Sequence, residues 1–205
     1  MPRQIDLSPK KLPRQTRAVA TVEALVEAAT YILARQGLGG FTANKVADKA
    51  GVNIASFYQY FPNKEALLFH IVRQTWERQL ARLSPILTRP GADHAVKLRD
   101  FIREFFLIEA AEVDLRRALR VASVDLKETE EFQALLSAGA DLTKRFIAEA
   151  VRDGASGNLD FDVRFIVLLT TSFAERTTDG GTASAELIRQ ADLLADMLIA
   201  RFKIA

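Results

Sequence analysis

The stretch from Phe41 to Lys64, FTANKVADKAGVNIASFYQYFPNK, leaves the backbone few choices: it reads as two short helices joined by a glycine turn. Thr42 supplies the hydroxyl of an N-cap, and Val46, Ala47 and Ala50 follow on one face at helical spacing. Gly51 ends that helix, because the residue just past a helix C-terminus commonly takes a positive φ, where a Cβ would clash. Asn53 is the next N-cap and leads into Ile54 to Tyr60. Phe57 and Phe61 point inward at i and i+4, while Ser56, Tyr58, Gln59 and Tyr60 are expected partly outward.

Corners of two helices occur throughout helical proteins, and most bind nothing. Here the second helix spans about two turns and presents hydroxyl, amide and phenol groups instead of the Glu and Lys of an ordinary solvated face. Such groups suit phosphates and base edges. Lys64 opens the next helix at the end whose dipole favours anions, so a phosphate partner would give that lysine a reason to be there. The block AGVNIASFYQYFPNKEALL, Ala50 to Leu68, closely resembles the signature of the tetracycline-repressor-like (TetR) family of transcription regulators. A long helix and the Phe-Thr lead-in precede it, and the resemblance runs from about Arg17 to His70. Beyond that stretch it extends only to architecture and length. It implies a sequence-specific DNA-binding regulator, a repressor released by an unidentified small-molecule effector, working as a homodimer on a palindromic double-stranded operator.

Charge is divided in the same sense. Residues 1–64 hold nine Lys or Arg against four Asp or Glu, a net +5, and the remainder holds 19 against 22, a net −3. A polyanion-binding head on a mildly acidic body has this asymmetry, since DNA affinity depends largely on phosphate neutralisation. Arg3, Lys10, Lys11, Arg14 and Arg17 form a basic arm. Taken alone they are an ordinary soluble tail. Pro2, Pro9 and Pro13 argue against helix there, which leaves residues 1–14 as a flexible arm able to follow a DNA backbone. Cysteine is absent and only His70 and His94 are present, which removes disulfides and thiolate chemistry and leaves little for a metal site. No cofactor is expected. The N-terminus lacks an apolar signal region and no apolar run approaches ~20 residues, so a cytoplasmic location and no membrane partner are expected.

Helical periodicity persists to the end, giving an all-α expectation of about nine helices. A first helix from about Gln15 to Gln36 carries the stripe Val19, Val22, Leu25, Val26, Ala29, Ile32 and Leu33 and stops at Gly37. The Gly37, Gly39, Gly40 cluster lacks the spacing and the preceding strand of a nucleotide loop. Asn63 caps a linking helix of residues 64 to 83, and Pro85 with Arg89-Pro90-Gly91 marks a boundary. Further breaks fall near Ala111 to Asp114, Leu126 to Glu130, Asp153 to Asn158 and Thr177 to Thr182. By role the chain divides into the arm (1–14), a helix-turn-helix DNA-binding domain (15–63) and an effector-binding and dimerisation domain (64–205).

Specific roles follow. Ile54 to Tyr60 enters the major groove, with Ala55 allowing close approach and Asn53, Ser56 and Gln59 able to read base edges. Gln59 offers a donor and an acceptor side by side, matching adenine N6 and N7, although it also suits a hydrated phosphate. Tyr58, Tyr60, Thr42 and Lys64 are backbone clamps, and Asn44 reaches the groove edge. In the body, Phe101, Phe105, Ile108, Leu119, Val121, Phe132 and Phe173 are effector-pocket candidates that serve equally as plain core. The phenylalanines favour an apolar or aromatic effector, while Arg103, Arg116, Arg117, Arg120 and Glu109 leave an acidic one open. The last two helices are the dimer interface that the resemblance implies, with candidates Phe161, Phe165, Leu168, Leu187, Ala191, Leu194 and Leu198; closing the chain's own core is the plainer alternative.

Two rival functions remain. An enzyme finds no thiol, no paired-histidine helix motif and no glycine-rich nucleotide loop, so none is expected. The other is a helical interaction or ligand-binding protein of the same fold without DNA binding, against which the polar Ser56, Tyr58, Gln59 and Lys64 argue.

Overall fold

A computed structural model describes residues 5–10, 15–151 and 157–204. Among these are nine α-helices and a short 3-10 turn: α1 (Thr16–Gly40), α2 (Ala43–Ala50), α3 (Ile54–Tyr60), α4 (Lys64–Thr88), α5 (His94–Ala111), α6 (Val113–Ala122), the 3-10 turn (Val124–Leu126), α7 (Glu130–Ala150), α8 (Leu159–Asp179) and α9 (Ser184–Phe202). One isolated antiparallel bridge, Val151 to Ile204, is the nearest approach to sheet among the described residues.

Local chemistry sets most helix ends. Within α1, Gly37 leaves helical geometry at φ 64°, ψ −166°, so the expected stop is a break in the helix, followed by one further turn to Gly40. α4 runs beyond the expected end near residue 83, through Pro85 to Thr88. Proline has no N–H to bond the carbonyl four residues back, and its ring crowds that carbonyl, so it weakens the helix near its end. Here only three residues follow, and Leu83 and Leu87 on either side are buried.

Two compact units emerge. The first contains residues 1–76 and 114–135, the second residues 77–113 and 136–205. These groupings do not coincide with the division by role at residue 63, because Lys64–Trp76 and the segment 114–135 pack with the head. The first core gathers Leu25, Ala29, Ile32 and Leu33 of α1, Val46 and Ala47 of α2, Phe57 of α3 and Phe61. Ala66, Leu67 and Ile71 of α4 close it, together with Leu115, Leu119, Leu126 and Phe132 from the later segment. The stripe foreseen on α1 is therefore the face that supports α2 and α3.

The second core is built mainly from α5, α8 and α9, with Leu98, Ile102, Phe106, Ile166, Leu187, Ala191, Leu194 and Leu198 buried. Ion pairs fasten its rim. Arg103 grips Asp192 with Nε to Oδ1 at 2.6 Å and Nη2 to Oδ2 at 2.9 Å, a bidentate geometry. Those hydrogen bonds raise the Arg103 pKa and lower that of Asp192. Arg103 is thus paired with Asp192, which counts against the open alternative that it meets an acidic effector. Arg82 pairs with Glu104 and Arg89 with Asp100, tying the end of α4 to α5.

Candidate nucleic-acid interface

The corner between α2 and α3 is built as its sequence dictates. The Lys45 N–H donates to Thr42 Oγ1 at 3.3 Å, and the Ala55 N–H donates to Asn53 Oδ1 at 2.8 Å. Gly51 sits at φ 68°, and its N–H reaches the carbonyls of Ala47 and Asp48. The Val52 N–H also donates to Ala47 O, at 3.0 Å, which closes the turn. Phe57 and Phe61 anchor α3 in the first core, their rings 6.0 Å apart.

What remains outside is the reading face. Ala55, Tyr58 and Gln59, at i, i+3 and i+4, are exposed, with Ile54 and Ser56 half-buried beside them. Tyr58 is 45% exposed and stands edge-on to Phe57 at 5.3 Å, so its phenol is held by a core ring while its hydroxyl end is accessible. Asn53 is exposed with Oδ1 committed to its cap, leaving recognition to its NH2 group. Thr42, Asn44 and Lys45 are exposed along the start of α2, and half-buried Lys64 opens α4. Lys49 lies over the Tyr31 ring at 4.0 Å.

Tyr60 departs from expectation. It is 6% exposed and belongs to the first core, so it cannot act as an outward clamp. Phe57 and Tyr60 stand three apart on a helix and share its inner face.

The N-terminal segment also differs from a free arm. Leu7 is buried in the first core, and Lys10 donates through its amide to Tyr60 O and through Nζ to Tyr58 O. Of the basic arm, Arg3, Lys11 and Arg14 lie outside the described residues. Sequence reading missed this docking; a single leucine between polar residues gives no periodic signal.

The α4 turn that follows the corner carries His70, edge-on to Phe61 at 5.5 Å. An Arg73 guanidinium N–H reaches His70 Nδ1 at 3.4 Å, and Nε2 is buried without a hydrogen-bond partner. Burial first, and the Arg73 charge second, hold the His70 pKa below the ordinary imidazole value. His94 is half-buried, its ring 5.6 Å from Phe146.

The effector candidates are split. Phe101, Phe105, Ile108 and Phe173 belong to or pack on the second core, with Phe101 and Phe105 stacked at 6.4 Å. Leu119 and Phe132 are part of the first core, and Val121 is 60% exposed, which removes it as a lining residue. The dimer candidates also divide. Phe161, Phe165 and Leu168 of α8 are exposed, whereas Leu187, Ala191, Leu194 and Leu198 of α9 are spent on the chain's own core. The exposed large apolar residues of α9 are Leu193 and Met197. Among the described residues no cluster of His, Asp and Glu is arranged to hold a metal ion, and no helix is long and apolar enough to cross a membrane.

Residues 25–71, which span the supporting face of α1, the whole corner and the start of α4, match the family model for bacterial regulatory proteins of the tetR family. Over this stretch the chain resembles the tetR family. The family so described is one of regulatory proteins. The chain is 32% identical to the HTH-type transcriptional regulator CymR of Pseudomonas putida over 53% of this chain and 55% of that one. Thus the match spans about half the length of CymR. It is 26% identical to the HTH-type transcriptional repressor KstR2 of Mycolicibacterium smegmatis, over 82% of this chain and 84% of that one. In fold, the chain resembles the transcriptional regulator FadR of Bacillus subtilis, solved in complex with stearoyl-CoA. The TM-score is 0.71 at 17% identity, covering 87% of this chain and 98% of that one.

Proposed function

We propose that this protein is a homodimeric repressor that sets α3 of each copy into the major groove of a palindromic operator and is released by a small-molecule effector. The observation that carries the reading is the exposed face Ala55, Tyr58 and Gln59 on a short, doubly capped helix whose inner face is locked by Phe57, Tyr60 and Phe61. A rigid helix with a polar aromatic face is suited to reading base edges, and one such helix on a monomer makes few contacts. A two-fold pair presents two, at half-sites about 34–36 Å apart or a multiple of that.

Gln59 reads a base, while Tyr58, Thr42 and Lys64 fix the register on phosphates. The effector reading rests on the phenylalanines of the second core, of which Phe101 and Phe173 are only partly buried. FadR, solved with stearoyl-CoA, makes long-chain acyl-CoA the first ligand class to titrate. α4 and α7 each contribute residues to both compact units.

The test is selection of duplexes from a random library by the full-length protein, followed by titration in rising salt. A palindrome should emerge. Gln59→Ala should relax preference at one base position per half-site by about 1–3 kcal/mol, and Lys64→Ala should weaken all sequences alike while lowering the salt slope by about one. Failure to select any palindrome at low salt, with no loss on Tyr58→Ala, would sink the proposal.

A further inference from the structure

α3 ends at Tyr60, and like any helix it leaves its last carbonyls without intrahelical donors. Phe57 O accepts the Phe61 N–H at 2.9 Å. Two of the others are satisfied from the far N-terminus: the Lys10 N–H donates to Tyr60 O at 2.9 Å, and Lys10 Nζ donates to Tyr58 O at 3.3 Å. One residue thus closes the recognition helix through both its amide and its ammonium group. The ammonium also lies where the helix dipole is negative, so charge and hydrogen bond act in the same direction.

The segment that carries Lys10 is fastened independently. Leu7 is 1% exposed in the first core, and Asn63 Nδ2 donates to Asp6 O at 3.0 Å. Asn63 is itself the cap of α4, its Oδ1 accepting the Ala66 N–H at 2.7 Å. Residues 6–10 therefore span the corner where α3 ends and α4 begins, joined to both.

We propose that residues 5–10 form a strap that positions the recognition helix, with Lys10 as its C-terminal cap and a positioning residue for base reading. A seven-residue helix has little stability of its own, since nucleation costs more than so few hydrogen bonds return. Without the cap the last turn of α3 frays, and that turn carries Tyr58 and Gln59. Lys10 works through α3, not on the DNA; its charge answers a carbonyl where the composition alone assigns it to a phosphate-seeking arm.

The proposal rests on reading α3 as the recognition helix, so the test has one arm with DNA and one without. In the DNA-free full-length protein, amide hydrogen exchange is measured by NMR for Lys10→Met, Lys10→Arg and Lys10→Pro. Exchange at Tyr58 to Phe61 should quicken about fivefold in Lys10→Met, more in Lys10→Pro, which also lacks the amide donor, and return toward the original rate in Lys10→Arg. The amides of Val46 to Ala50 in α2 should stay unchanged. Equal α3 rates in Lys10→Met and the unaltered protein overturn the strap.

In the second arm, a duplex selected from a random library and its scrambled counterpart are titrated at several salt concentrations. Lys10→Met should reduce the ratio of the two affinities about tenfold at an unchanged salt slope. An equal loss on both duplexes, with the slope lower by about one, makes Lys10 a phosphate contact and overturns the positioning role. Should the unaltered protein select no duplex, the DNA-reading function fails, while the exchange rates still decide the strap.

Discussion

At the scale of single residues, burial separates groups that sequence places side by side. Tyr58 and Tyr60 sit two apart in a seven-residue helix, and one is 45% exposed while the other is 6%. Less than two full turns of helix carry too little periodicity to fix the angle of each residue, so Tyr60 is legible as inward only once Phe57 is known to be its i−3 neighbour in the core. Tyr60→Ala should therefore act on folding, costing about 3–5 kcal/mol in denaturant melts as other large aromatic truncations do. Tyr58→Ala should leave the melt nearly unchanged and weaken DNA binding. His70 gives a second contrast. Its pKa is lowered in the fold, so the native state binds a proton less readily than the unfolded chain does. The stability this contributes is complete above the ordinary imidazole value of about 6.5 and is lost as pH falls through the lowered native value. Urea midpoints measured between pH 8 and 5 should fall toward the acid side, and His70→Gln should flatten that dependence.

At the scale of elements, the α2–α3 corner was legible almost residue for residue because its determinants are local: a threonine cap, a glycine at positive φ and an asparagine cap within a dozen residues. Gly51 tests that account. Nothing lies within 4 Å of where a Cβ would stand, so a substitution there meets backbone strain alone. Gly51→Ala should cost about 1 kcal/mol in urea unfolding, and Gly51→Asn less, because asparagine tolerates the left-handed region. A cost well above that would mean the position is crowded in solution. The strap of residues 5–10 and the segment 114–135 were not legible, although Leu115, Leu119 and Ala122 form a clear apolar stripe. Periodicity tells which face of a helix is buried and is silent on the distant partner that buries it. The same limit misdirected α9. Its dominant stripe, Leu187, Ala191, Leu194 and Leu198, closes the chain's own core, leaving Leu193 and Met197 outside.

At the scale of the whole molecule, α8 buries polar side chains beside its core residues Val163, Ile166 and Ala174 and leaves large apolar ones outside. Phe161, Phe165 and Leu168 are exposed at i, i+4 and i+7, Leu168 at 65%, while Asp162, Thr170 and Thr177 on the opposite side are buried. The Phe161 and Phe165 rings stack at 6.2 Å, forming a continuous apolar ridge. A ridge of this kind is costly in water and is the usual mark of a surface that another protein covers. Two-fold symmetry makes a second copy the economical cover, since the same ridge then meets itself and α3 is duplicated for a palindrome. Leu168→Asp separates this from a packing role. The side chain is exposed within its own chain, so the variant should keep its helical circular dichroism but run as a monomer in light scattering at micromolar concentration. It should also lose most operator affinity, because a single head makes half the contacts. Leu194→Asp, at 2% exposure, should instead unfold the second unit. A Leu168→Asp protein that stays dimeric with full affinity would place the interface elsewhere, and the α8 ridge would then need another partner to explain it.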